Sequence, residues 1–171
     1  MAQKHKCFIS YDSRDQRAVD RFIEQFSGSA GSFIAKHSDM DQDIVDSKNT
    51  DYVMSRIRAR FLEDSTVTIV LVGKCTWSRR YVDWEVQSSL RKPADGPPPS
   101  GLVAIQLYES YSRLPDRVRA NKESGYSEFY EYPKSSTSLA NIIEEAFGRR
   151  RTAANKIVNS RDRFKYNKKC D

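Results

Sequence analysis

Glu85 is the residue whose type and spacing point most directly to chemistry. At about 100° per residue in a helix, it shares a face with Val82, Val86 and Ser89 and lies one turn past Tyr81. Val82, Val86 and Leu90 form an apolar stripe. A carboxylate beside such a stripe is partly desolvated, and a desolvated carboxylate is a functional candidate. Spacing alone leaves a second reading equally open, a boundary glutamate paired with Arg79, Arg80 or a backbone donor and of little energetic consequence.

Other constellations fail on their own terms. No G-x-x-x-x-G-K-[ST] occurs, which excludes a P-loop. Gly28-x-x-Gly31 follows a helical stripe and not a strand, so it is no dinucleotide fingerprint. Asp39-Met40-Asp41-Gln42-Asp43 begins like an EF-hand loop, but the sixth position is Ile44 and the twelfth Thr50. A solvated acidic loop is the expectation there, with a weak Mg²⁺ site as the minor option. His5 and Cys7 lack a second ligand pair for zinc, so no metal site is expected. No G-x-S-x-G is present, and the histidines number two, which leaves little room for a catalytic triad. A phospho-acceptor receiver would need an Asp at the end of its third strand, where this chain has Val72-Gly73.

The elements that must position Glu85 follow from periodicity. Cys7-Phe8-Ile9 reads as strand one. Ser13 and Gln16 match a capping box, and Val19, Phe22, Ile23 and Phe26 give the i, i+3, i+4, i+7 stripe of a helix ended by Gly28 and Gly31. Phe33-Ile34-Ala35 is strand two, followed by an acidic loop to about Asn49 and a helix from Thr50 to about Glu63. Val67 to Val72 is apolar at every position but Thr68, as expected of a central parallel strand covered on both faces. A helix over Arg79 to Lys92 carries Glu85. Three prolines make Asp95 to Gly101 a loop. Leu102 to Ile105 is strand four, Tyr108 to Ser127 has no clear pattern, and Phe129 to Tyr132 is strand five. Leu139, Ile142, Ile143, Ala146 and Phe147 mark a last helix.

Strands alternating with helices imply right-handed β-α-β units and a mostly parallel sheet. The fold class is α/β, a flavodoxin-like three-layer sandwich with a five-stranded sheet of order 2-1-3-4-5. Ligands of such sheets bind beyond the carboxyl ends of the strands where the order reverses, here between strands one and three. The loops leaving those strands are Ser10-Tyr11-Asp12 and Gly73 to Ser78, and the acidic loop reaches the same edge.

Composition limits the classes. The 171 residues fit one domain, 38% hydrophobic and 30% charged. No apolar run approaches the roughly 20 residues that span a bilayer, and the amino terminus lacks a signal-peptide core, so no membrane role is expected. Cys7, Cys75 and Cys170 are odd in number and far apart, which reads as no disulfide framework and a reducing, cytoplasmic setting. The net charge of +6 is uneven: from Arg149 onward there are nine Lys or Arg against two Asp, and the remainder nets −1. Residues 1–150 therefore read as one domain and 151–171 as a basic helix or tail. The tail reads as a solvated terminal helix; nucleic acid or an anionic surface is the weaker reading.

Phe8-Ile9-Ser10-Tyr11-Asp12, Thr68 to Gly73, Thr76, Ser78 and Tyr81-Val82-Asp83-Trp84-Glu85-Val86 together resemble the bacterial TIR-like family of Thoeris antiphage defence. Asp46-Ser47 before the second helix also matches its pattern, and Tyr81 stands where the family often has Trp. The resemblance runs over about residues 6–107. It implies an NAD-consuming enzyme that releases nicotinamide and makes a cyclic ADP-ribose-type signal, with NAD as substrate and no cofactor. It puts Glu85 on the family's catalytic glutamate, and makes Ser10, Tyr11, Asp12, Asp46, Thr76 and Trp84 substrate-binding candidates. Trp84 could stack on a ring, although a helical tryptophan is more often packing; Ser10, Tyr11, Asp12 and Asp46 are individually as expected in caps and turns. A separate effector protein sensing the nucleotide product is the implied partner, with a homo-oligomer an open option. Two rivals stand beside this reading: a non-catalytic interaction or adaptor module, since a fold does not entail catalysis, and a nucleoside base-transfer enzyme of similar topology.

Overall fold

In the computed structural model, residues 4–28, 31–37, 48–59, 64–92 and 98–171 are described. The strands are β1 (His5–Ser10), β2 (Phe33–His37), β3 (Val67–Val72), β4 (Gly101–Gln106) and β5 (Glu128–Tyr130). They form a five-stranded sheet of order β2-β1-β3-β4-β5, with every neighbouring pair parallel. The helices among the described residues are α1 (Gln16–Phe26), α2 (Thr50–Ile57), α3 (Arg80–Ser89), α4 (Asp116–Ser124) and α5 (Ser136–Thr152). None is long and apolar enough to cross a membrane.

Alternation along β3 builds the two faces. Val67, Ile69 and Leu71 join Val19, Phe22 and Phe26 of α1 and Leu139, Ile143 and Ala146 of α5 in one buried cluster. Val70 and Val72 turn to the opposite face, with Val82, Val86 and Leu90 around α3, Val118 of α4 and Tyr126. A smaller cluster joins Val53, Met54 and Ile57 of α2 to Trp84. Each such side chain contributes about 1.5–3 kcal/mol by leaving water, so the sheet is held from both sides, as the apolar β3 run requires.

Four expectations need correction. Ser13 does not cap α1: the Asp12 carboxylate accepts from the Arg14 amide and caps a short 3₁₀ turn, Ser13–Asp15, and α1 starts only at Gln16. The unpatterned stretch contains α4, which Gly125 ends in the left-handed region at φ 92°. The tail is not a solvated helix: α5 stops at Thr152, and residues 157–171 run as an irregular strap over α3. Finally, Cys75 and Cys170 form a disulfide, with Cα atoms 5.7 Å apart, and only Cys7 is a free thiol, buried in the core. The count of three cysteines therefore does not support a reducing compartment. Burial pushes the Cys7 thiol well above the usual range, so it is inert packing.

Candidate active site

Ser10 is the last residue of β1 and pairs in register with Val70 of β3, the two strands between which the order reverses. Its hydroxyl donates to Glu85 Oε1 at 3.2 Å. Ser10 is fully buried and Glu85 is 5% exposed. Glu85 is held by α3, whose Val82 and Val86 seat it on the sheet. Strand one and the helix that carries Glu85 thus touch directly at the switch point. Arg79 and Arg80, the alternative partners read from spacing, have engagements elsewhere. Arg79 Nε stands 3.8 Å from Asp12 Oδ1, and Arg80 lies over the rings of Tyr81 and Trp84.

The other named residues divide. Asp12 is 2% exposed and is held by Arg14 at 2.9 Å as well as by Arg79. Two guanidinium groups around one carboxylate make it a fixed corner of the loop after β1. Tyr11 donates its hydroxyl to Gln16 at 2.6 Å. Thr76 Oγ1 accepts from the Gly73 amide at 2.8 Å and shapes the loop after β3. Trp84 packs with Val53, Met54, Ile57 and Tyr81, and its indole N–H donates to the Phe164 carbonyl of the strap at 2.8 Å. Its ring is 4% exposed, which is the packing arrangement. Asp46 and the acidic stretch 39–43 lie outside the described residues.

Beside these loops lies a cleft of about 400 Å³, lined by Asp12, Asp15, Lys74, Tyr108, Tyr111 and Cys170 among others. It gathers segments following β1, β3 and β4 together with the end of the chain. Asp15 sits over Gly73, where any Cβ would overlap its carboxylate. Burial first, then the Asp12 carboxylate, pushes Asp15 above the usual carboxylate range; the Tyr108 hydroxyl, donating to Asp15 Oδ1 at 3.3 Å, and Arg14 oppose this. Burial and Asp15 push Tyr108 up in turn. Asp15, Tyr108 and Tyr111 were not singled out in the sequence. Asp15 lies one turn beyond the loop residues that were, and both tyrosines fall in the stretch without a pattern.

A second polar network locks α3 to α4 and the strap. Arg117, 1% exposed, places Nε 3.0 Å from Asp83 Oδ1. It also donates to Asn159 Oδ1 at 3.0 Å and to the Arg161 carbonyl at 2.8 Å, while the Phe164 amide donates to Asp83 Oδ2 at 2.9 Å. Asp83 is two residues before Glu85, so the same helix carries the candidate carboxylate and the anchor of the strap.

The arrangement presents a fixed, buried carboxylate at the switch point of a doubly wound sheet, with charged loops around it. No curated protein matches the sequence. The model of the Thoeris protein ThsB TIR-like domain matches residues 8–111, a span from β1 through β4 that includes both Ser10 and Glu85 and stops before α4, α5 and the strap. With that match over more than half of its length, on an all-parallel sheet of the order expected from the alternation of its elements, the chain belongs to the Thoeris ThsB TIR-like domain family.

Proposed function

We propose that the chain cleaves the nicotinamide–ribose bond of NAD and makes a cyclic ADP-ribose-type signal in antiphage defence, with a separate effector protein as its receiver. The observation that carries the reading is the buried hydrogen bond from Ser10 to Glu85 at the switch point, inside the segment that matches the family. Cleavage breaks the C1′–N glycosidic bond. The electron pair leaves with nicotinamide, which departs neutral, and positive charge develops on the ribose carbon. A fixed carboxylate stabilises that charge, an effect worth about 10²–10³ in rate for a single preorganised group, as in glycosidases. Ser10 holds one carboxylate oxygen in place. The oxocarbenium-like carbon is then taken either by water or by the folded-back adenine end of the same molecule, and exclusion of water decides for the cyclic product. No cofactor enters the scheme, since NAD is consumed as substrate. A cytoplasmic setting, where NAD is abundant, belongs to the same reading.

The adaptor reading has one observation in its favour: Glu85 is 5% exposed and hydrogen-bonded, as a structural residue would be. Chromatography with mass detection on protein incubated with NAD, beside Glu85→Gln, separates the two. Nicotinamide release lost in the variant supports the enzyme. No turnover, with or without phage-infected extract, supports the adaptor. Turnover of nucleosides without NAD consumption supports base transfer.

A further inference from the structure

At the carboxyl end of α3 lies a cleft of about 450 Å³ with Arg58, Arg91, Arg161 and Arg163 in its lining. Arg58 caps the end of α2, Arg91 follows the end of α3, and Arg161 and Arg163 come from the strap. Helices of right-handed β-α-β units run antiparallel to their strands, so the ends of α2 and α3 lie toward the amino edge of the sheet. Ser10 and Glu85 are at the carboxyl edge. Neither Ser10 nor Glu85 lines the arginine cleft, although Ser88, one turn on from Glu85, does.

Arginines at helix ends are favoured by the helix dipole, and that accounts for Arg58 and Arg91 singly. It does not account for bringing further guanidinium groups to them. Burial first, then Arg91 and Arg163, pulls Arg58 below the usual guanidinium range, with Asp51 opposing. Among the described residues, neither Arg58 nor Arg91 makes an ion pair with a carboxylate. Among the same residues, the carboxylate contacts of Arg161 and Arg163 are long, 3.9 Å each, to Asp116 and to the highly exposed Asp51. Among the described residues, Asp162 is the single acidic residue in the lining. Ser88 adds an independent sign: it lines the same cleft, is 93% buried, and its hydroxyl has no hydrogen-bond partner among the described residues. Among the described residues, guanidinium groups crowded together without a close carboxylate for each, beside a buried hydroxyl without a hydrogen-bond partner, describe a site for an anion with several acceptor oxygens.

We propose that this cleft binds a compact phosphorylated ligand of the pyrophosphate class, such as a nucleoside diphosphate. Its volume is that of a small-molecule site. The surroundings disfavour a nucleic acid, because Asp51, Asp116 and Asp162 break any continuous basic track beside the cleft. Two of the four arginines belong to the strap that also engages Trp84 and Asp83, so an occupant would tie the strap to α2 and α3.

The test is calorimetric titration of the full chain with inorganic pyrophosphate and with ADP, at low and raised salt. Saturable binding at one site, weakened by salt, is expected. Arg58→Gln combined with Arg91→Gln should weaken it by about tenfold or more, and Arg163→Gln, on the strap, should weaken it separately, each with an unchanged circular dichroism spectrum. Glu85→Gln should bind as the wild type does. The proposal is overturned by the absence of saturable binding at millimolar pyrophosphate, by undiminished binding in folded arginine variants, by loss of binding in Glu85→Gln, or by a DNA oligonucleotide binding where pyrophosphate and ADP do not.

Discussion

Arg117 and Asp83 meet 3.0 Å apart at a point where both are almost completely out of water, and the backbone of the strap completes their hydrogen bonding. A buried ion pair is costly to assemble but far more costly to break from one side. Its partners lie on α3, on α4 and in the strap, so three segments distant in sequence share one polar anchor.

Removing half of that anchor should therefore be severe. Arg117→Ala leaves the buried Asp83 carboxylate without its cation, a loss of about 3–5 kcal/mol, which for a chain of this size lowers Tm by roughly 6–20 °C. Asp83→Val with Arg117→Met should recover much of the loss. A Tm within two degrees or so of wild type for Arg117→Ala would contradict the network's importance.

Glu85→Gln keeps the shape and removes the charge. Nicotinamide release from NAD should fall by at least about 100-fold, while the circular dichroism spectrum stays as in wild type. Equal activity would dispose of the proposed role of Glu85.

Asp15 gives a pH dependence with a definite sign. Its carboxyl is raised in the folded protein by burial and by Asp12. The stability it contributes is present below the ordinary carboxylate range and is lost as pH rises through the raised folded value, since the charge is harder to hold folded than unfolded. Asp15→Asn, permanently neutral, should match or exceed wild-type Tm at neutral pH, with the gap closing toward about pH 3. Thermal melts across that range check it; a gap that widens in acid has the wrong sign.

Reduction of Cys75–Cys170 should destabilise. The bond closes 95 residues of sequence separation, and loss of such a cross-link costs about 2–5 kcal/mol, or roughly 4–20 °C in Tm. Cys75→Ser should melt like the reduced wild type and be indifferent to dithiothreitol. An identical Tm with and without reductant would show that the bond carries no stability.

What could be read from the sequence was what local pattern encodes. The β3 run and the α1 stripe of Val19, Phe22 and Phe26 state their partners by period alone, and Glu85 beside Val82 and Val86 follows from helix geometry. The helix α4 was illegible because two of its three buried residues are Arg117 and Asn121. Their burial is made tolerable by Asp83, by the Asn159 side chain and by Val158 of the strap, whose carbonyl and amide both bond to the Asn121 side chain. Contacts that long-range leave no periodic trace. Cys75 and Cys170 failed for the same reason, being distant in sequence and adjacent only once the strap has docked. Trp84 was ambiguous between stacking platform and packing until the strap appeared over it.

The Cys75–Cys170 bond has a topological consequence. It makes residues 75–170 a covalent ring holding α3, β4, α4, β5 and α5, while β1, α1, β2, α2 and β3 remain an open chain outside it. Ser10 belongs to the open part and Glu85 to the ring, so the candidate site exists only where one is threaded against the other. A single backbone cut anywhere inside the ring would linearise it and leave one molecule, whereas a cut before Cys75 would divide the protein in two.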